Sequence, residues 1–280
     1  MLGLYPRFIR CLVLDNLNKM QDMEPGIKED LERVGIANLK TLVVTSWRGK
    51  RYKFVPEIEL TIDLCKKRRG AHMSRLVESI SEIIEEEALM PHKSLEELER
   101  KILDRLREKH NYKKGSISMV TDLVIEKTTP ITKKKTMETH KILIEVFKDN
   151  RKYKKTLQVE VLGNTLCPHA MEKSHGKSHI QRAKAILRIK TDYDKDIALE
   201  DMVDVVEKSF PSEVYTLLKI EDERYVVNKM FKNPMFVEDV TRSILKNAKN
   251  RFKNCRIWVR VTSEESIHRH NVVAEGSCIS

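Results

Sequence analysis

The chain alternates between two kinds of hydrophobic periodicity, and each kind predicts a different secondary structure. Residues 39–47 and 52–64 are rich in β-branched and aromatic side chains on either side of Gly49, which predicts a β-hairpin. The period then lengthens. Apolar residues three and four positions apart over 76–88, and again over 95–106, predict two amphipathic helices.

Pro91 separates the two predicted helices, and the alternating pattern returns after them. Residues 115–127 and 139–147 alternate apolar and polar side chains, as strands with one buried face do, with a break at Thr129-Pro130. The charged stretch 148–155 predicts an exposed turn or linker. The first half is therefore predicted as strand, strand, helix, helix, strand, strand.

The second half repeats this order. Strands are predicted at 156–166, 179–189, 256–261 and 271–274, and helices at 199–210 and 235–249. Two copies of one supersecondary plan, without obvious residue identity, predict a duplicated α+β fold. In this interpretation residues 1–22 are an N-terminal appendage, 23–150 the first module and 151–280 the second.

Composition narrows the possible partners and the cell compartment. The 280 residues carry a formal net charge of +11, which attracts anions such as nucleic acid, nucleotide phosphates or acidic lipid headgroups. The five cysteines lack disulfide spacing and no signal peptide precedes them, which favours a reducing cytoplasm. The apolar stretch at 8–14 is too short to span a membrane.

Candidate chemistry is concentrated in the second half of the chain. Thiolate, imidazole and carboxylate are the usual ligands of zinc and ferrous iron, and a catalytic site needs three of them. A hairpin would bring Cys167 and His179 together, and a helix carrying Glu223 would supply the third ligand. Taken singly, however, a lone cysteine is more often a small buried residue and a lone histidine a surface residue. Spacing alone therefore leaves a metal site as a minority hypothesis.

A set of motifs in order along the chain gives the metal-site hypothesis support that spacing alone does not. They are Arg33-Val-Gly, Gly70-Ala-His72-Met-Ser-Arg75, Thr165-Leu-Cys167-Pro, Ser178-His179-Ile-Gln181-Arg182, Glu221-Asp-Glu223, Asn233-Pro-Met-Phe-Val-Glu238-Asp239 and Glu265-Ser-Ile-His268-Arg-His270. Together they resemble the GTP cyclohydrolases of the prokaryotic IB type and their archaeal relatives of methanopterin synthesis. The resemblance covers most of the chain beyond residue 21.

The resemblance implies a tunnelling fold, with two tandem modules of strand pair, helix pair and strand pair. It also implies a homo-oligomer, dimer or tetramer, with sites at subunit interfaces. A divalent metal would be held by Cys167, His179 and Glu223, with His268 beside the metal or its water. Ferrous iron is favoured, and zinc or manganese would also suit these ligands.

By the same resemblance, Glu238 anchors the guanine base and Glu265 supports either the base or the metal. Arg182, His72 and Arg75 are implied for the triphosphate, because arginine offers phosphate a bidentate fork. His72 and Arg75 would come from a neighbouring subunit. The alternative is that these two residues are only the solvated start of a helix.

One position departs from the family pattern. His169 stands where many relatives have a second cysteine, and an imidazole there can still transfer protons near neutral pH. The implied reaction adds an activated water to C8 of GTP, opens the imidazole ring and releases formate. A dihydroneopterin 2′,3′-cyclic phosphate is the favoured product, and the folate-type triphosphate is the alternative.

Two alternatives of other kinds remain. A non-enzymatic nucleic-acid-binding protein would suit the net charge and the basic runs 66–69 and 133–135, but only 6% of residues are aromatic and no nucleic-acid motif is recognised. A relative with altered chemistry would not need Cys167, His179 and Glu223, which are all present. We therefore expect GTP as the partner, and neither a membrane nor a specific nucleic acid.

Overall fold

The computed structural model describes residues 20–47, 50–89 and 94–280. The predicted turn at Gly49, the break at Pro91 and most of the N-terminal appendage lie outside these residues. The chain folds into two compact units. Unit 1 comprises the described residues up to Met119 together with Glu145–Tyr153, and unit 2 comprises Val120–Ile144 and Lys154–Ser280.

Unit 1 begins with four strands rather than the single predicted hairpin. These are β1 (Leu31–Lys40), β2 (Val43–Trp47), β3 (Lys50–Phe54) and β4 (Glu57–Leu64). β2 and β3 form a separate two-stranded sheet, while β4 pairs antiparallel with β1. The predicted strand 52–64 is interrupted at Pro56, which has no N–H to donate to a ladder. The hairpin prediction is therefore correct for β2 and β3 and wrong for the longer strands.

The two predicted helices of unit 1 are confirmed. They are α1 (Met73–Leu89) and α2 (Leu95–Lys109). Ser94 caps the start of α2, where its Oγ accepts a hydrogen bond from Glu97 N at 3.2 Å and so satisfies one of the free N–H groups of the first turn. The leucine and isoleucine stripe of α2 is buried, as the sequence period requires.

Three long strands follow: β5 (Lys114–Thr128), β6 (Lys135–Asp149) and β7 (Lys152–Leu166). The predicted turn within 148–155 is confirmed at residues 150 and 151, but the rest of this stretch belongs to β6 and β7, so the linker alternative is wrong. Asn150 has a positive φ of 54°, a conformation that asparagine tolerates better than most residues. Lys148 is buried at the end of β6, where its Nζ donates to Asp104 Oδ1 at 2.5 Å. The charged residues of this stretch therefore overstated the length of the turn between β6 and β7.

Unit 2 is built on an antiparallel sheet. After β7 come β8 (Ile180–Asp192), β9 (Arg256–Ser263) and β10 (Val272–Ile279), and each pairs with the strand before it. The predicted strands are confirmed, and β10 extends five residues beyond the predicted end at 274. Alternate residues of β7, β8 and β9 are buried, so that one face of the sheet forms the core.

Four helices belong to unit 2: α3 (Pro168–Lys173), α4 (Leu199–Glu207), α5 (Ile220–Lys232) and α6 (Val237–Arg251). The predictions at 199–210 and 235–249 correspond to α4 and α6, and α6 packs on β9 and β10. A Cβ at Gly163 of β7 would lie 2.4 Å from the Phe210 ring, which shows how closely the segment after α4 covers the sheet. The α+β fold class is confirmed. Among the described residues no helix is long and apolar enough to cross a membrane.

Candidate active site

One end of the sheet in unit 2 changes from apolar to polar. The core-facing positions of β7, β8 and β9 are mostly aliphatic, but at this end they hold Thr165, Gln181 and Ser263. Thr165 pairs with Gln181 across β7 and β8, and Ser263 pairs with Ala183 across β8 and β9. All three polar side chains are buried, with exposed fractions of 2%, 7% and 0%. Buried polar groups of this kind require hydrogen-bond partners.

These side chains form a continuous hydrogen-bond network with His179 and Glu265. Gln181 Nε2 donates to Thr165 Oγ1 at 3.0 Å and to Glu265 Oε1 at 3.2 Å, while Gln181 Oε1 lies 2.8 Å from His179 Nδ1. Ser263 Oγ donates to Glu265 Oε1 at 2.8 Å and lies 2.7 Å from Thr165 Oγ1. Sequence reasoning did not identify Thr165, Gln181 and Ser263 as site residues. The available signal was their position on the core-facing side of the strands.

Cys167 and His179 lie at facing positions where this hairpin opens. The pair Leu166 and Ile180 closes the β7–β8 register, and Cys167 and His179 come next on either side. Ser178 Oγ donates to the Cys167 carbonyl at 2.8 Å, which ties the two chain segments together. Cys167 Sγ accepts from Ala170 N at 3.3 Å at the start of α3. The predicted hairpin placement is confirmed, and the role of the two residues as metal ligands stays a prediction.

α5 carries Glu223 on the side of the helix that packs against this hairpin. Val226 and Met230 of α5 are buried in a cluster with Leu166, and Ile180 packs against the same cluster. Glu223 precedes Val226 by three positions and Met230 by seven, and this spacing places all three on one helical stripe. Glu223 itself is exposed. Glu223 thus lies on the α5 stripe that packs against the strand ends bordering Cys167 and His179, and its role as a ligand stays a prediction.

The start of α5 is anchored by the residue before Glu223. Asp222 is fully buried, and its Oδ1 accepts from Ile131 N at 2.8 Å and Thr132 N at 2.9 Å. Its Oδ2 accepts from Thr132 Oγ1 at 2.5 Å and Lys219 N at 3.1 Å. Burial by itself would raise the pKa of Asp222, but these four hydrogen bonds outweigh it and hold the pKa well below its usual range. The turn between β5 and β6 is thereby fastened to α5.

The predicted base-binding residue lies at the start of α6. Glu238 is exposed in the first turn of this helix, where a negative charge is favoured by the helix dipole. Leu166 N donates to the Met235 carbonyl at 3.4 Å, which brings the chain entering α6 to the end of β7. Glu238 therefore belongs to the same end of unit 2 as Cys167.

The remaining predicted residues of unit 2 are exposed at or near this end. Arg182 lies on β8 with its side chain in solvent, and its carbonyl accepts from Glu264 N at 2.8 Å. His268 lies in the segment between β9 and β10, with its ring stacked on His270 at a centroid distance of 5.2 Å. His169 is exposed in α3. Exposure leaves these side chains accessible to a substrate.

The chemical types of these donor groups fit a divalent transition metal. Cys167 and His179 offer a thiol and an imidazole at facing positions, and Glu223 offers a carboxylate on the adjoining helix. Within residues 20–47, 50–89 and 94–280, however, no three histidine, cysteine or acidic side chains are already gathered as a metal-binding cluster.

The two predicted phosphate-binding residues of unit 1 are not a solvated helix start. His72 is 3% exposed, its Nε2 lies 3.5 Å from Asp22 Oδ1, and its ring lies 5.9 Å from that of His110. Burial, with a contribution from nearby positive charges, lowers the pKa of His110. Arg75 is half-buried and donates to the Lys109 carbonyl at 3.1 Å. Both predicted residues are thus held in place by neighbouring groups.

Solved structures similar to this one share its fold. A uricase from Arthrobacter globiformis superposes with a TM-score of 0.56 at 7% identity, covering 91% of this chain and 96% of the uricase chain. A hyper-thermostable mutant of AgUricase gives a TM-score of 0.55 at 7% identity, with coverage of 91% and 94%. At such low identity these likenesses show the fold alone. They confirm the predicted tunnelling fold.

Sequence relatives are far closer. The chain is 51% identical over 259 residues to GTP cyclohydrolase MptA of Pyrococcus abyssi, covering 91% of this chain and 97% of the relative. It is 49% identical over 260 residues to the protein of that name from Thermococcus kodakarensis, with the same coverage. It is 34% identical over 289 residues to that of Methanothermobacter thermautotrophicus, covering 91% of each. The family model described as Type I GTP cyclohydrolase folE2 matches residues 17–274. The chain therefore belongs to the type I GTP cyclohydrolase family of enzymes.

Proposed function

We propose that this protein opens the imidazole ring of the guanine in GTP at C8, releases formate and yields a dihydroneopterin product. Family membership supports the substrate. The observation that carries the chemistry is the facing placement of Cys167 and His179 beside the helical stripe of Glu223. Hydrolysis at C8 needs an activated water, and this end of unit 2 offers the donor types that hold such a centre.

The proposed metal ligands are Cys167, His179 and Glu223. A divalent metal bound there supplies Lewis acidity, which makes water nucleophilic near neutral pH. Ferrous iron is favoured by the resemblance, with zinc or manganese as alternatives. His268 and His169 are both exposed near this end and are proposed to move protons between solvent and the reacting ring.

Glu238 is proposed to recognise guanine, because its carboxylate can accept hydrogen bonds from N1–H and from the exocyclic amine. Glu265 is proposed to act from within the network that holds His179, where it accepts from Gln181 and Ser263. Arg182 from this unit, together with His72 and Arg75 of a partner subunit, would bind the triphosphate.

The favoured product is the 2′,3′-cyclic phosphate, formed when a ribose hydroxyl attacks the α-phosphorus and pyrophosphate leaves. Support comes from relatives named MptA at 49–51% identity. The alternative is the folate-type product, which keeps the triphosphate. The two products differ by the mass of pyrophosphate, so that mass analysis separates them.

The test is anaerobic incubation of the metal-free protein with GTP and one divalent metal at a time, followed by formate measurement and mass analysis. We expect turnover with ferrous iron and its loss in Cys167→Ala. The matched control is Cys278→Ala, because Cys278 is a free, half-buried cysteine on β10 outside the proposed site. The absence of formate with every metal would overturn the proposal, and specific nucleic-acid binding without turnover would favour the other class.

A further inference from the structure

We propose that Gln181 is a positioning residue that holds His179 in the tautomer protonated at Nδ1, leaving the Nε2 lone pair free to bind a metal. The tautomer follows from the hydrogen bonds of the described residues alone. Only the statement that Nε2 receives a metal rests on the proposed function. Gln181 follows His179 by two positions in the sequence.

The orientation of the Gln181 amide is fixed by Glu265. The amide nitrogen lies 3.2 Å from Glu265 Oε1, and the amide oxygen lies 2.8 Å from His179 Nδ1. If the amide were rotated by half a turn, its oxygen would face the acceptor-only carboxylate at the same distance. Two acceptors would then be in contact without a proton between them. The carboxylate therefore directs the amide oxygen toward His179.

The two hydroxyl groups beside the amide agree with this orientation. Ser263 uses its one proton to donate to Glu265 Oε1 at 2.8 Å. The 2.7 Å contact between Thr165 and Ser263 must then carry the proton of Thr165. The Thr165 oxygen remains as an acceptor for Gln181 Nε2 at 3.0 Å. Each hydroxyl proton of the network therefore has one acceptor, and both N–H groups of the Gln181 amide donate hydrogen bonds.

The proton between Gln181 and His179 can only come from the imidazole. Gln181 Oε1 is an acceptor, so the 2.8 Å contact requires a proton on His179 Nδ1. Glu265 Oε2 lies 3.7 Å from the same nitrogen, beyond hydrogen-bond distance, so Gln181 Oε1 is the group that accepts the Nδ1 proton. A neutral His179 therefore has its lone pair on Nε2.

Burial makes the alternative orientation of the Gln181 amide energetically costly. Thr165, Gln181 and Ser263 are almost inaccessible to water, so a wrongly oriented amide would leave buried groups unsatisfied. A histidine that binds a metal normally donates its other ring N–H to an acceptor, which fixes both the tautomer and the ring orientation. The Gln181 amide oxygen provides that acceptor here, and Glu265 acts on His179 through it.

The experiment replaces Gln181 with apolar residues of similar size, Gln181→Met and Gln181→Leu, so that one variant remains if the other does not fold. The matched control is Gln158→Met, because Gln158 is a strand glutamine on β7 whose partner is Arg188. Ring nitrogen-15 chemical shifts of His179 are measured in the metal-free protein at a pH where imidazole is neutral. His179→Asn identifies its signals, and metal affinity is then measured by competition with a chelator.

In the wild type and in Gln158→Met we expect a protonated Nδ1 and an unprotonated Nε2. In a folded Gln181 variant we expect protonation to shift toward Nε2 and metal affinity to fall about 10- to 100-fold. An unchanged tautomer in a folded variant would overturn the inference, whatever the metal content. If the tautomer shifts but the wild type binds no metal, the positioning role stands and the proposed metal site fails.

Discussion

At the scale of single residues, Glu238 offers a direct test of base recognition. Its carboxylate is exposed in the first turn of α6, so replacing it removes no buried contact. We expect Glu238→Gln to lower kcat/KM for GTP about 10- to 100-fold, the equivalent of one charged hydrogen bond, while metal content is unchanged. Steady-state kinetics with metal analysis measures both.

The control for Glu238 is its neighbour Asp239, which accepts from Phe236 N at 3.2 Å and so caps the same helix. Asp239→Asn should lower thermal stability slightly and leave the KM for GTP unaltered. Unaltered kinetics in Glu238→Gln would remove Glu238 from the site.

Glu223 and Glu221 form a matched pair for the metal. Both are exposed glutamates in the first turn of α5, but only Glu223 shares the stripe of Val226 and Met230. We expect Glu223→Gln to weaken metal binding at least about tenfold and Glu221→Gln to leave it intact. Equilibrium metal binding by chelator competition decides between them. Equal loss in both variants would indicate a general effect of charge near α5 rather than a ligand.

The sequence could place Cys167 and His179 together because both residues border predicted strands of one hairpin. It could not reveal the network beneath them. The direction of the Gln181 amide depends on Glu265, which lies 84 positions further along the chain and meets Gln181 only through the pairing of β8 with β9. Partners so far apart in sequence leave no local pattern.

At the scale of elements, α5 is positioned by a buried carboxylate, and this makes its attachment sensitive to acid. The native pKa of Asp222 lies below that of the unfolded chain, so its contribution to stability is fully present above about pH 4 and is lost as pH falls through the native value. We expect Asp222→Asn to lower the urea midpoint at neutral pH, because an amide hydrogen would face the Thr132 hydroxyl or Lys219 N–H. The difference in urea midpoint between the wild type and Asp222→Asn should become smaller at acidic pH.

Urea unfolding at neutral and acidic pH measures this effect, with Glu221→Gln as the control for an exposed acid on the same turn. A difference that is constant with pH would show that Asp222 is not the titrating group. Metal affinity should fall together with stability at neutral pH, because the anchor of α5 also positions Glu223.

The helix and strand predictions were confirmed where a single hydrophobic periodicity extended over many residues, as in α1, α2, β5 and β6. α5 had no predicted bounds because only Asp222, Val226 and Met230 are buried along its thirteen residues, which is too sparse a stripe to define its ends. The turn at residues 150–151 was predicted too long, because the flanking charged residues belong to β6 and β7. Lys148 is buried because Asp104 neutralises it, and this partner lies 44 positions earlier in the sequence.

At the scale of the whole molecule, the predicted site residues are divided between the two units. The proposed metal ligands and Glu238 belong to unit 2, whereas His72 and Arg75 belong to unit 1. The formal charge of +11 favours the approach of a triphosphate to the protein but does not favour one part of the surface over another. The geometry of phosphate binding therefore has to come from particular side chains.

We expect a complete site to combine the metal ligands of one subunit with His72 and Arg75 of another. Arg75→Ala and Cys167→Ala should each be nearly inactive alone, and an equimolar mixture should regain activity after subunit exchange. With random exchange, half of the metal sites keep their cysteine and half of those meet an intact Arg75. About one quarter of wild-type activity per subunit should then return. Differently tagged chains verify the exchange, and thermal melts verify that Arg75→Ala folds without its bond to the Lys109 carbonyl. If each site were formed within a single chain, every site in the mixture would carry one defect, and verified exchange without recovered activity would exclude the shared site.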